Sequence, residues 1–212
     1  FTPSTDAPKL LGRIIFITGG TSATGHSTLL HLCTLSPAEI YFSGRSHAAA
    51  TALIARVAAL APSVVLHFVQ MDMTDLSSIK TAITTKFRNI RLHLLICCAG
   101  INAKDTLAIN SLTKNGYERN LGVNHLAHAL VLKLLLPTLL RTAASRPSAD
   151  VRVVVLTCPQ FRNASTVSLA KARSITAEYA NSYAESRFAA VVYNCALAVR
   201  CRKITAVTVL PG

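Results

Sequence analysis

Short runs of β-branched and aromatic residues alternate along the chain with longer stretches whose apolar positions recur at helical spacing. The first run, RIIFIT (13–18), is apolar at four consecutive positions and ends at Gly19-Gly20, the pattern of a buried strand meeting a turn. STLLHLCTL (27–35) follows with helical spacing and stops before Pro37. EIYFSG (39–44) predicts a second strand, and HAAATALIARVAAL (47–60) an alanine-rich helix closed by Pro62. VVLHFVQMD (64–72) reads as a third strand, LSSIKTAITTKF (76–87) as a helix and LHLLICCAG (92–100) as a fourth strand. YERNLGVNHLAHALVLKLLL (117–136) has the length of a long helix, and VRVVVLT (151–157) is a fifth strand. SYAESRFAAVVYNCALAVR (182–200) predicts another helix, and ITAVTVLPG (204–212) a sixth strand halted by Pro-Gly.

Near-continuous apolar strands separated by helices imply a parallel sheet covered on both faces, since a strand exposed on one side would alternate with polar residues. Six such strands with crossovers match an α/β, doubly wound (Rossmann) sheet in a single domain. The 212 residues contain no repeat or low-complexity linker that would divide them, and 51% hydrophobic residues suffice for a substantial core.

Charge narrows the functional classes. Lys and Arg number 22 against 9 Asp and Glu, a net charge of +13 that suits an anionic ligand. The basic residues are scattered, with no run of five like charges and no interleaved aromatics, which argues against nucleic acid as a partner. The six cysteines show no C-x-x-C pairing and no metal-ligand spacing, so reduced thiols in a cytoplasmic protein, without a metal, are expected. LAHALVLKLLLPTLL (126–140) is interrupted by His128, Lys133 and Pro137 and falls short of a bilayer span, so it predicts a buried core helix and no integral membrane segment. The 126–136 and 188–198 helices are apolar enough for a homodimer contact, but burial against a sheet accounts for the same pattern. The amino-terminal FTPSTDAPKLLG has neither a basic n-region nor an apolar h-region, and the ends at Phe1 and Gly212 suggest a fragment.

The chemistry concentrates at strand ends. In a doubly wound sheet the first strand-to-helix turn cradles a dinucleotide pyrophosphate, and here it reads TGGTSATGHS (18–27). Gly19 and Gly20 permit the sharp turn, Thr21 and Ser22 offer hydroxyls, and Gly25 allows close helix–strand packing. The second strand ends at Arg45 and Ser46, where an acidic residue would take a ribose 2′-hydroxyl and an arginine accommodates a 2′-phosphate. No acid lies between Glu39 and Asp72, which favours NADP(H) over NAD(H). Asp72 could accept from an adenine amino group or cap the next helix, with Asp75 the better placed cap. Tyr183 and Arg187 are four residues apart and would share a helix face, where a cation favours phenolate and equips the tyrosine for acid/base work.

Taken in order, these motifs resemble those of a short-chain dehydrogenase/reductase, in the retinol-dehydrogenase-like branch common in fungi. TGGTSATG stands for T-G-x3-G-x-G, MDMTDLSSIK for the D-L-T strand end, CCAG for N-N-A-G, YAESR for Y-x3-K and VLPG for the P-G turn. The resemblance implies Tyr183 as acid/base, Arg187 in the place of the assisting lysine, Cys158 in that of the serine that holds the substrate oxygen, and Asn124 as the relay asparagine. It further implies cofactor contacts at Met73, Ala99, Gly100, Pro211 and Gly212, a small-molecule carbonyl or alcohol as substrate, and hydride transfer with NADP(H). The family's seventh strand and substrate-covering helices would follow Gly212.

Five positions depart from the family pattern. Arg187 stands for lysine, Cys158 for serine, Cys97 and Cys98 for two asparagines, and Ala23 for a pyrophosphate-turn glycine. A guanidinium fork cannot replace an ammonium without new geometry, and a thiol donates weakly. The expectation is therefore an NADP(H)-dependent oxidoreductase, with a catalytically weak dinucleotide-binding relative as the alternative.

Overall fold

A computed structural model describes residues 6–102, 112–168, 171–173 and 179–211. Six parallel strands form one sheet in the order β3-β2-β1-β4-β5-β6. The strands are β1 (Ile14–Ile17), β2 (Glu39–Gly44), β3 (Val65–Gln70), β4 (Leu94–Cys97), β5 (Arg152–Leu156) and β6 (Thr205–Val209). The helices are α1 (Ala23–Thr34), α2 (His47–Leu60), α3 (Leu76–Lys86), α4 (Arg119–Ala144) and α5 (Tyr179–Arg200). The strand order reverses between β1 and β4, which creates the crevice where such sheets take their ligands.

Why the strands lack alternation is plain in β1, whose four residues are all within 1% of full burial. Ile14 and Phe16 face a cluster with Ile79 of α3 and Leu135 and Leu139 of α4, whereas Ile15 and Ile17 face Leu29 of α1 and Leu53 of α2. A side chain points to each face in turn, and both faces are covered. At the β6 edge, Val207 and Val209 remain partly exposed.

Helix starts follow side-chain capping. Ser22, Ser46 and Asp75 accept from the first-turn amides of α1, α2 and α3, and Glu118 accepts from the Asn120 and Leu121 amides at the head of α4. Asp75 is thus the cap, as its position predicted, and it also pairs with Lys114 at 3.0 Å.

Helix α4 is longer than its sequence pattern suggested. It runs through Pro137 to Ala144, 26 residues, long and apolar enough to cross a bilayer by length and composition alone. Here Val131, Leu135 and Leu139 pack it on the sheet. Their burial offsets the backbone hydrogen bond that Pro137 cannot donate. Near its start, Gly122–Leu126 forms a π turn, with the Ala127 amide reaching back to the Gly122 carbonyl. Such a bulge swings neighbouring side chains and carbonyls out of helical register.

Candidate functional site

A cleft of about 230 Å3 opens beyond the carboxyl ends of β1 to β4. Its wall includes Gly19, Thr21 and Ser22 after β1, Gly44 at the end of β2 and Arg45 just past it, Asp72 and Met73 after β3, and Ala99 and Gly100 after β4. Eight of the sequence-predicted cofactor residues are thereby gathered from four separate segments, because parallel strands bring all their ends to one edge.

The turn after β1 explains its glycines. Gly19 adopts φ +69°, and a Cβ there would lie 2.8 Å from the Ala99 backbone. A Cβ on Gly25 would overlap the Gly19 carbonyl. Ser22, expected to offer its hydroxyl to phosphate, instead donates to the Gly19 carbonyl (2.7 Å) and accepts from the Gly25 amide (3.3 Å). What the turn presents to an anion is the amino-terminal end of α1, whose first amides have no intrahelical acceptors. Ala23 sits exposed in that first turn, with its methyl outside the packed interior.

Arg45 is exposed on the cleft wall, and its carbonyl accepts from Gln70 Nε2 at 3.0 Å, which fixes the loop. Ser46 is not on that wall; its hydroxyl caps α2 through the Ala49 amide at 3.2 Å. Asp72 Oδ1 accepts from both the amide and the hydroxyl of Thr74, each at 2.9 Å, in a local turn that orients the carboxylate at the cleft. Pro211 lies exposed past β6 and off the cleft wall, and Gly212 lies outside the described residues.

Gly100 links this cleft to the tyrosine. A Cβ on Gly100 would meet Arg187 Nη2 at 2.5 Å and Asn124 Oδ1 at 3.2 Å, so both side chains press against its backbone. The Arg187 guanidinium carbon stands 5.1 Å from the centre of the Tyr183 ring, and Nη1 donates to the Leu156 carbonyl at 3.5 Å. The Cys158 thiol donates to Tyr183 Oη at 3.4 Å. Tyr183, Arg187 and Cys158 therefore form one cluster, the first two as their helical spacing predicted and the third as the family resemblance implied.

Its electrostatics differ from the expectation. Burial pushes the Tyr183 phenol above its ordinary pKa, the Cys158 sulfur adds to the rise, and Arg187 pulls it down by less. The cation sits over the ring, where it meets the π face, and the ring is 9% exposed. Helical spacing gave the shared face but carried no information about desolvation.

Asn124, on the π turn, is pinned at both ends of its amide. Oδ1 accepts from the Ile101 amide at 2.8 Å, while Nδ2 donates to the Ile101 carbonyl and to Ser186 Oγ, each at 3.0 Å. Ser186 Oγ in turn donates to the Tyr183 carbonyl at 2.7 Å. The asparagine thus ties the loop after β4 to the helix that carries the tyrosine.

Sequence reasoning missed a second network. The fully buried Thr18 Oγ1 accepts from the Cys98 and Ala99 amides, at 2.9 and 3.0 Å, and donates to His128 Nε2 at 2.9 Å. His128 Nδ1 donates to the Asn124 carbonyl at 3.0 Å. These two side chains tie β1, β4 and α4 together at the place where Cys97 and Cys98 bring no side-chain amides. The four-residue step from Asn124 to His128 was the available signal. Burial holds His128 neutral, with its pKa down to about 4, which fits a ring that donates once and accepts once. Burial likewise pushes the Cys97 thiol up to about 12, so it is an inert core group.

Comparison with known proteins agrees with this geometry. A family model described as short chain dehydrogenase matches residues 13–155. A short-chain dehydrogenase/reductase of Phomopsis amygdali is 38% identical over 157 residues, covering 73% of this chain and 46% of that protein. An oxidoreductase of Schizosaccharomyces pombe is 30% identical over 215 residues, 98% of this chain and 62% of its own length. Human polyprenol dehydrogenase is 27% identical over 210 residues, 97% of this chain and 62% of its own. The chain therefore spans about half to three fifths of the length of these relatives. Among solved structures, levodione reductase superposes with a TM-score of 0.74 at 20% identity, covering 96% of this chain and 72% of that one. A blue fluorescent protein from a metagenomic library, in complex with NADPH, gives 0.70 at 24% identity, covering 96% and 75%. Motif order, sheet order and sequence similarity together place the chain in the short-chain dehydrogenase family.

Proposed function

We propose that this chain carries the nucleotide site and acid/base group of an NADP(H)-dependent oxidoreductase that interconverts a carbonyl and an alcohol on a lipophilic small molecule. The observation that carries the reading is the cluster beside Gly100 of the cleft wall: Cys158 on Tyr183 Oη at 3.4 Å, with Arg187 over the ring and against Gly100. A glycine-lined cradle at a helix amino terminus, with an arginine and no carboxylate at the end of β2, suits a dinucleotide bearing a 2′-phosphate. When bound, the cofactor supplies or accepts hydride.

The side chains handle the proton. Tyr183, kept protonated by its burial, donates its hydroxyl proton to the substrate oxygen during reduction and recovers it from the alcohol in the reverse direction. The thiol of Cys158 approaches the same oxygen position and lends a weak hydrogen bond there. Arg187 supplies positive charge beside the phenol, favouring its ionised form when the alcohol is deprotonated. The lipophilic substrate class is supported by the name of the human relative, a polyprenol dehydrogenase.

Fluorescence titration with NADPH and with NADH tests the cofactor assignment. At least tenfold tighter NADPH binding is expected, reduced to near parity by Arg45→Ala. Equal affinities in the unaltered chain would overturn the assignment to NADP(H).

A further inference from the structure

The edge of the sheet opposite the cleft, where the strands begin, carries a cluster that the oxidoreductase reading does not use. A cavity of about 360 Å3 there is lined by Arg13, Arg91, His93, Ser145 and Arg146, among others. The three arginines come from three distant segments: the turn before β1, the approach to β4 and the turn after α4. Parallel pairing sets β1 beside β4 and β4 beside β5, which gathers the starts of these strands at one place.

No carboxylate lines this cavity. The nearby Asp150 carboxylate accepts from Arg152 Nε at 2.8 Å, and its hydrogen bond to Arg13 runs through the backbone carbonyl, which accepts from Nη1 at 2.8 Å. His93 Nδ1 accepts from the Ile14 amide at 3.0 Å, so the neutral ring carries its proton on Nε2. That N–H is a donor with no protein acceptor among the described residues.

Solvated surface arginines would be the plain explanation, and a helix carboxyl terminus does favour a cation such as Arg146. It does not account for Arg13 and Arg91, which precede strands, or for their convergence with an imidazole in a concavity. Like charges held together with little counter-charge repel, and a concave wall focuses their field. The cost is visible in His93, whose pKa falls to about 4 through burial first and then through Arg13, Arg91 and Arg146, with Asp150 opposing weakly.

We propose that this cavity is a second anion site, distinct from the cofactor cleft, that binds a phosphate-bearing group of about pyrophosphate size. Guanidinium forks match phosphate oxygens bidentately, and three of them with an imidazole N–H suit a polyvalent anion rather than a single carboxylate. Binding relieves the repulsion among the cations and turns His93 into a favourable donor.

The test is a titration of the whole chain with inorganic pyrophosphate at constant ionic strength, followed by the His93 ring NMR signals and by thermal unfolding. The His93 signals separate this site from any pyrophosphate taken up in the cofactor cleft. A saturable shift of the His93 signals, a rise of its pKa by at least one unit and a higher Tm are expected. In Arg91→Ala/Arg146→Ala, both positions exposed, binding should weaken at least tenfold with the unliganded Tm within a few degrees of the parent. A response no larger than that to sodium chloride, or one undiminished in the double variant, would overturn the proposal. Co-sedimentation with phosphatidic acid vesicles that pyrophosphate displaces would assign the phosphate to a lipid headgroup. Pyrophosphate binding without vesicle capture would assign it to a soluble ligand.

Discussion

At the scale of single residues, the proposed reaction makes the tyrosine cluster decide how the proton moves. Tyr183 was legible in the sequence because four-residue spacing to Arg187 fixes a shared helix face, and Cys158 followed from motif order. The direction of the pKa was not legible, because it depends on how much water the folded chain leaves around the ring. A raised phenol stays protonated through neutral pH, so carbonyl reduction should be flat there. Alcohol oxidation needs the phenolate and should climb about tenfold per pH unit well into the alkaline range. Arg187 lowers the phenol pKa, so Arg187→Ala should displace that climb to higher pH, while Arg187→Lys should not. A pH–rate profile of oxidation that plateaus below neutrality would contradict this assignment. Tyr183→Phe should remove at least about a hundredfold of kcat, the scale of a general acid/base, and leave NADPH affinity within a factor of three. Cys158→Ser should increase kcat, because a hydroxyl donates more strongly than a thiol; a further loss would mean that the sulfur itself is required.

At the scale of elements, alternation of strand and helix signals was enough to place all six strands and the sheet class. A buried parallel strand is a continuous apolar run whatever its neighbours. The length of α4 escaped because Pro137 reads locally as a helix end, whereas burial of Leu135 and Leu139 on either side carries the helix past it. The Thr18–His128–Asn124 junction escaped for another reason: its members are 110 and four residues apart, and only folding brings the first to the others. That junction makes the fold acid-sensitive. In the unfolded chain His128 takes up a proton near its ordinary pKa of about 6.5, but in the fold it resists until about 4. The unfolded state therefore binds more protons across that window, and stability present above about pH 6.5 is lost as the pH falls towards 4. Between pH 7 and 5 this one group should cost about 2 kcal/mol, from 1.36 kcal/mol per pH unit below its unfolded pKa. Urea unfolding of His128→Gln at both pH values should show a correspondingly smaller acid loss, whatever its stability at pH 7. An unchanged acid loss would assign the sensitivity to other groups, with His93 the next candidate.

At the scale of the whole molecule, the net charge of +13 finds its meaning in where the fold puts it. A scatter of arginines along the chain becomes, in the sheet, two cations, Arg45 and Arg119, at the cleft wall on one edge and three around a cavity on the other. Both ends of the strands thus face solvent with a positive field, while the two faces are covered by helices. An anion approaching the cleft is steered by the whole distribution as well as by Arg45, and such steering weakens as salt shortens the screening length from about 30 Å at 0.01 M to about 8 Å at 0.15 M. NADPH carries two more negative charges than NADH at high pH and nearly as many at neutral pH, so its association should be the more salt-sensitive of the two. Stopped-flow association at 20 mM and 500 mM sodium chloride should show a drop in the NADPH rate at least three times that for NADH. Arg45→Ala should reduce the difference without abolishing it, because one charge of the surplus is removed and the rest remain. If that single substitution makes the two salt dependences equal, steering belongs to the local contact alone. If neither cofactor responds to salt, the positive field has no part in capture at the cleft.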